Sequence, residues 1–149
     1  MTITAHHDPR VGRTYGPTHY EVGVEKIREY AAVIGETHAL HHDRAAAHAA
    51  DFRDVVAPPM FCVVYCTPPV IQAVSDVIGS ALPRMLHGSQ TFTWHEPVCS
   101  GDTITSVAEI ADIYQKGDLT FVQIAGRSHN QDGTLTVESE WTEIVRGGI

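Results

Sequence analysis

The sequence predicts an α+β fold in which a long apolar helix lies on a curved antiparallel sheet. Apolar residues recur at helical spacing over residues 24–34, and a second apolar stretch, residues 60–78, follows a double proline. After residue 83 the apolar pattern changes to the alternation typical of strands. The chain has 149 residues, enough to bury a sizeable core, and we expect a single domain over residues 1–149.

The first third of the chain predicts an arm and two short helices. Residues 1–18 are polar and rich in Gly, Pro and His, which indicates a partly ordered N-terminal arm, and a short strand is expected over residues 20–24. Gly35 is placed to end the helix of residues 24–34, because glycine accepts the left-handed conformation common at helix ends. Asp43 is suited to cap a second helix over residues 44–50.

The central apolar stretch predicts a buried helix with a break. Pro58 and Pro59 suit the first turn of a helix, where a missing N–H has no partner to lose. Pro68 and Pro69 lie inside the stretch, and an interior proline costs about 3 kcal/mol or more. We therefore expect the helix to break near Thr67 and a second piece to follow.

The second half of the chain predicts an antiparallel meander of four strands. Turn residues separate the last three of them, and a loop over residues 97–102 joins the first two. Within that loop Asp102 is expected to form no more than a turn. The predicted strands cover residues 85–95, 103–114, 120–129 and 134–145.

Composition argues against several classes of function. The formal net charge of −8 argues against nucleic-acid binding, which needs a basic face. We find no apolar run of about 18 residues to span a bilayer and no secretory signal, and we expect a cytoplasmic protein. Cys62, Cys66 and Cys99 make no disulfide framework, and without a zinc-type ligand spacing we expect no metal.

The segment between the two short helices carries the candidate catalytic pair. Glu36 and His41 lie five residues apart, one just after a helix and the other just before the next. A carboxylate and an imidazole anchored in this way can transfer protons as an acid/base pair. The neighbouring His38, His42 and His48 are expected to be solvated.

The run GETHALH, residues 35–41, preceded by Tyr30, resembles the signature of the MaoC-like branch of the hot-dog fold. The glycine, the acid, the aliphatic residue and the histidine are in register, whereas Glu36, His38 and Ala39 stand where the family has Asp, Asn and Pro. Residues 55–61, 87–97 and 100–102 resemble the N-terminal MaoC dehydratase type found in actinobacterial fatty-acid metabolism. The resemblance covers roughly residues 12–145.

The resemblance implies a hot-dog domain with (R)-specific enoyl-CoA hydratase or 3-hydroxyacyl dehydratase activity. By analogy Glu36 serves the oxygen on carbon 3 and His41 serves carbon 2, although the order could be reversed. The N-terminus of the central helix would bind the thioester oxygen, with Met60 as its first amide donor. The remaining channel residues would be Tyr30, Pro58, Pro59 and Phe61.

No cofactor is expected beyond the CoA or phosphopantetheine of the substrate. Related proteins pair their sheets edge to edge, which implies a homodimer or a heterodimer with a paralogous hot-dog subunit. Two other functions stay open. The chain could be a non-catalytic subunit that shapes the acyl channel of an active partner, or a hot-dog thioesterase, although no carboxylate lies in the central helix between Met60 and Gln72.

Overall fold

The computed structural model describes residues 8–149, which form a five-stranded antiparallel sheet with a long helix packed on one face. This arrangement confirms the predicted α+β hot-dog fold. Short 3₁₀ turns cover Ala39–His41, Pro59–Phe61 and Gly79–Arg84. The helices are α1 (Val24–Val33), α2 (Arg44–Ala49) and α3 (Cys62–Val77). The strands are β1 (Thr14–Glu21), β2 (Met85–Trp94), β3 (Thr103–Lys116), β4 (Leu119–His129) and β5 (Leu135–Arg146).

The strand order is β1-β3-β4-β5-β2, which corrects the predicted four-strand meander. Only β3, β4 and β5 follow one another as hairpin neighbours. The connection after β2 crosses the fold, so that β2 pairs with β5 at the opposite edge, with Trp94 facing Val137. Strand order is not readable from alternation, because alternation records which side chains are buried and not which strand lies alongside.

The core lies between α3 and the inner face of the sheet. Side chains such as Phe61, Ile110 and Val122 are fully buried there. Each is worth about 1.5–3 kcal/mol relative to an exposed position. Gly16 on β1 faces α3, and an added Cβ would lie in ordinary contact with the Cβ of Pro69 at 3.5 Å but only 2.8 Å from the carbonyl oxygen of Ser106. Glycine at this position therefore permits the close approach of β1 to the backbone of β3.

The helix α3 runs unbroken from Cys62 to Val77, so the predicted break near Thr67 is wrong. The Thr67 hydroxyl donates a hydrogen bond of 2.5 Å to the carbonyl of Val63. Pro69 is buried in the contact with β1, whereas Pro68 is exposed at the surface. Burial of the apolar face against the sheet therefore offsets the loss of two backbone hydrogen bonds.

The N-terminal segment joins the sheet earlier than predicted. The strand β1 begins at Thr14 rather than at residue 20, and pairs with β3. Before it, the Gly12 amide donates to the carbonyl of Ile110 at 2.8 Å. The predicted arm is therefore wrong for residues 14–18, and residues 1–7 lie outside the described part of the chain.

One segment of the described chain, Pro59–Val77, is long and apolar enough by length and composition to cross a membrane. This corrects the expectation that the sequence contains no such run. Half of its apolar window is buried inside the fold, and it includes all of α3. Its composition is therefore explained by its place as the central helix of the hot-dog fold.

Candidate active site

The turn between α1 and α2 is held by local hydrogen bonds that its residues determine. Gly35 has a φ of 73°, and its position allows the Glu36 amide to donate to the carbonyl of Ala31 at 2.8 Å. Asp43 caps α2 by accepting from the Ala45 amide at 2.7 Å, as predicted. His42 is not simply solvated, because its Nε2 donates to the Glu36 carbonyl at 2.8 Å.

His41 has a fixed ring orientation. Its Nδ1 lies 2.7 Å from the carbonyl oxygen of Val56. A carbonyl can only accept a hydrogen bond, so Nδ1 carries the proton in the neutral ring and Nε2 keeps its lone pair. The imidazole is thereby set up as a base at Nε2.

The Glu36 carboxylate points back at the backbone of the turn that carries it. One oxygen accepts a hydrogen bond of 2.8 Å from the His38 amide. This bond is the main reason that the pKa of Glu36 lies below its usual value, and the charge of a protonated His41 lowers it further. Across residues 8–149, no ion pair joins Glu36 to His41. The two side chains therefore share one turn without direct contact.

An apolar cavity of about 280 Å³ adjoins His41. Its polar side chains include the imidazoles of His41 and His95, the carboxylate of Glu96 and the hydroxyls of Tyr65 and Thr136. One wall runs from Pro58 through the 3₁₀ turn into the first turn of α3 at Tyr65, and another is formed by residues 94–98, at the end of β2 and just after it. A small, mostly apolar cavity with an oriented base suits a small apolar ligand that carries a polar group.

A family model described as the FAS1-like dehydratase domain region matches residues 10–139. The chain belongs to this family. A UPF0336 protein of Streptomyces griseus is 40% identical over 138 residues, which cover 91% of this chain and 92% of that protein. A UPF0336 protein of Saccharopolyspora erythraea is 36% identical over 139 residues, covering 92% of this chain and 89% of that one.

Solved structures of dehydratases and hydratases have the same fold. The truncated HadBC complex of Mycobacterium tuberculosis, a 3R-hydroxyacyl-ACP dehydratase, matches with a TM-score of 0.81 and 22% identity, covering 93% of this chain and 98% of that one. The R-hydratase PhaJ1 of Pseudomonas aeruginosa matches with a TM-score of 0.70 and 25% identity, covering 93% and 83%. Together with the family match, these likenesses confirm the MaoC-like hot-dog dehydratase family that the sequence resembles.

In this dehydratase-family chain, the residues predicted to form the channel separate into two groups. Pro58, Pro59 and Phe61 line the cavity. Tyr30 lies behind them, where its hydroxyl donates to the carbonyl of Met60 at 3.0 Å and its ring meets the edge of Phe61. Met60 does not line this cavity, and its side chain is largely exposed. Its role as an amide donor stays a prediction.

Sequence reasoning missed several residues of the site. Trp94 lines the cavity and its Nε1 donates to the carbonyl of Pro59 at 2.8 Å, which ties β2 to the start of α3. Tyr65 and Thr136 also line the cavity and are almost fully buried. His95 and Glu96 lie at the cavity as well. The only available signal was the apolar character of α3 and β2, which a purely structural core would share.

Proposed function

We propose that this chain catalyses the reversible addition of water to 2-enoyl thioesters, giving (R)-3-hydroxyacyl thioesters of CoA or of an acyl carrier. The observation that carries this proposal is the oriented imidazole of His41 on the wall of an apolar cavity, in a chain of the dehydratase family. No cofactor is needed, because the thioester itself acidifies carbon 2.

In the proposed hydration, the Glu36 carboxylate takes a proton from water as the oxygen attacks carbon 3. A protonated His41 gives its Nε2 proton to carbon 2. In dehydration the same transfers run backward, with neutral His41 as the base. The lowered pKa of Glu36 keeps its carboxylate ionised at neutral pH, as the first step of hydration requires. The carboxylate must leave the His38 amide and turn toward the substrate.

The start of α3 is suited to bind the thioester oxygen. Negative charge develops on that oxygen as carbon 2 gains or loses its proton, and a helix N-terminus favours negative charge. Pro59 has no N–H, so the Met60 amide is the first donor of this turn. The bonds from Tyr30 and Trp94 to the carbonyls of Met60 and Pro59 hold the turn in place before substrate binds.

Hydration of crotonyl-CoA, followed by loss of the enone absorbance, tests the proposal. The wild-type protein is expected to turn over, and both His41→Ala and Glu36→Gln are expected to lose activity. His19→Ala is the matched control, because His19 is exposed on β1 and its ring bonds, among residues 8–149, to Thr105 alone. Absence of turnover with short and long enoyl thioesters would contradict the proposal.

A specific observation supports a second candidate, a non-catalytic subunit that shapes the acyl channel of an active partner. The Glu36 carboxylate bonds to its own turn and does not line the cavity. Two similar structures, HadBC and ChsH1-ChsH2 of Mycobacterium tuberculosis, are complexes. Activity that appears only with a partner, and survives His41→Ala, would favour this candidate. For the thioesterase alternative, the α3 residues at the cavity, Cys62 and Tyr65, include no carboxylate, and the carboxylate on its wall is that of Glu96, after β2.

We further propose a dimer, either of two copies or with a paralogous hot-dog subunit. The strand β2 is at the edge of the sheet, so one side of its backbone has no neighbouring strand within residues 8–149. Leu86 on this strand is 70% exposed, and such edges are usually covered in native proteins. Light scattering that shows a stable monomer would contradict this proposal.

A further inference from the structure

The carboxylate of Asp102 is the most heavily hydrogen-bonded group near His41, although the sequence predicted only a turn. Asp102 is 1% exposed and accepts two hydrogen bonds from Arg53, at 2.7 and 2.9 Å. It also accepts from the Cys99 amide at 2.8 Å and from the Gln131 side chain at 3.1 Å. A turn alone does not require a buried carboxylate with four donors.

Asp102 joins the two segments that form a short ladder behind His41. The Ala57 amide donates to the carbonyl of Val98 at 2.8 Å, and the Ser100 amide donates to the carbonyl of Val55 at 2.9 Å. Between these bonds Val56 faces Cys99 in an antiparallel bridge. Asp102 is hydrogen-bonded to one segment through the Arg53 side chain and to the other through the Cys99 amide.

The middle of this ladder presents the carbonyl that orients His41. The Val56 carbonyl accepts from the His41 Nδ1 at 2.7 Å, and the Val56 amide donates back to the carbonyl of Leu40 at 2.9 Å. A shift of the Val56 peptide would therefore move both the ring and the turn that carries it. No other hydrogen bond to the His41 ring is present within residues 8–149.

The contacts of Asp102 favour its ionised form. Burial by itself would raise the pKa of Asp102, but the hydrogen bonds from Arg53, Cys99 and Gln131 hold it below the usual value. Asp102 is therefore ionised when the proposed reaction takes place. Removing either partner would leave the other without its bidentate contact.

We propose that the Arg53–Asp102 pair is a positioning device, which holds the Val56 carbonyl so that His41 keeps its Nδ1–H tautomer and directs Nε2 toward substrate. The inference rests on the proposed role of His41. Neither Arg53 nor Asp102 lines the cavity, so they act through the peptide of Val56 and not on the substrate.

The test combines kinetics with nitrogen NMR of the His41 ring. Asp102→Asn keeps the shape of the side chain and removes its charge. Arg53→Met removes the other member of the pair, and because the Arg53 side chain is half exposed, this change leaves the core intact. Both are expected to lower kcat for crotonyl-CoA about tenfold or more with KM changed less than twofold, since small misplacements of a catalytic group slow reactions strongly. Arg53→Lys, which restores one contact, is expected to recover part of kcat.

Two controls separate positioning from general destabilisation. Ile110→Val removes a methyl group from the core, and Asp76→Asn makes the same chemical change at the exposed pair with Arg13. Neither is expected to alter the His41 nitrogen signals, whereas Asp102→Asn and Arg53→Met are expected to mix the two ring tautomers.

The proposal would be overturned if Asp102→Asn and Arg53→Met both left the His41 nitrogen signals and kcat unchanged. It would also be overturned if Ile110→Val, at the same loss of Tm, changed the signals and kcat by as much as those two variants do. The NMR readout needs no substrate. If the wild-type protein hydrates no enoyl thioester, the proposed function fails, while the positioning of His41 is still decided by the ring signals.

Discussion

Glu36 lies on the same turn as His41 and Asp102 lies by the ladder that holds the Val56 carbonyl, and the fold holds these two carboxylates in different ways. Asp102 is buried, has four hydrogen-bond donors and joins two chain segments. Glu36 is only half buried and accepts from the amide of His38, two residues along the chain. Both have a pKa below the usual value, yet only Asp102 is fixed by distant parts of the chain.

The difference indicates that the two halves of the proposed acid/base pair are prepared to different degrees. The imidazole has its tautomer and direction set before substrate arrives, through Val56 and the ladder behind it. The carboxylate can exchange its single local bond for a contact with water or substrate. An asymmetry of this kind predicts that substitutions at His41 act through lost chemistry, and substitutions at Glu36 through geometry as well.

The largest effect is expected from His41→Ala. Loss of a positioned general acid or base typically costs about 10²–10⁴-fold in rate, and no other imidazole in this structure shares the Val56 carbonyl. The measurement is kcat for crotonyl-CoA with the wild-type protein and the variant. A variant that keeps more than about a tenth of the wild-type kcat would contradict the role proposed for His41.

A smaller effect is expected from changes at Glu36. Glu36→Gln keeps the size and removes the charge, and about a 10²-fold loss of kcat is expected. Glu36→Asp keeps the charge but shortens the side chain by one methylene, so its kcat should lie between those of Glu36→Gln and the wild type. Equal activity of Glu36→Gln and the wild type would show that this carboxylate takes no part in the chemistry.

Tyr65 is expected to limit the length of the acyl chain. It lies in the first turn of α3, and the α3 residues that follow it do not line the cavity. Tyr65→Leu should make room for about two more methylenes, each worth about 0.8 kcal/mol when buried. The ratio of kcat/KM for eight-carbon over four-carbon enoyl thioesters should therefore rise about tenfold.

Tyr114→Leu is the matched control for Tyr65→Leu, because Tyr114 stacks on Phe121 away from this cavity. The control should leave the chain-length ratio unchanged. If Tyr65→Leu also leaves it unchanged, the acyl group does not reach the cavity floor.

The smallest effect concerns stability in acid. Because the pKa of Asp102 is lowered by folding, the stabilisation from its charge is present above the pKa of the unfolded chain and is lost as pH falls through the lower folded value. The Tm difference between the wild type and Asp102→Asn should be widest near neutral pH and narrow in acid below the usual aspartate range. A gap that stays constant or widens in acid would contradict the ion pair with Arg53.

Much of the fold could be predicted because it follows from burial patterns. Residues such as Ile27 and Ala31 recur at helical spacing and are fully buried on α1, and the alternation over β3 and β4 marks the same inner face. The unbroken α3 could not be predicted, because the contact that offsets Pro69 is made with Gly16 on a distant strand. The position of β2 beside β5 could not be predicted either, because it depends on the connection that crosses the fold after β2.

The candidate site was predictable only where a motif carried it. The spacing of Glu36 and His41 identified the turn and the caps around it. The partner that fixes His41 is a backbone carbonyl, which every residue possesses and no sequence pattern marks. Asp102 was predicted to be a turn residue, because its burial and its contact with Arg53 depend on segments about 50 residues apart meeting in the fold.

The most direct test of the central claim is hydration of crotonyl-CoA in D₂O, with the product examined by NMR and by chiral analysis. The account predicts that the wild-type protein forms (R)-3-hydroxybutyryl-CoA with one deuterium at carbon 2, and that His41→Ala forms none at a comparable rate. Absence of product from the wild-type protein, or the same deuterated product at an undiminished rate from His41→Ala, would contradict it.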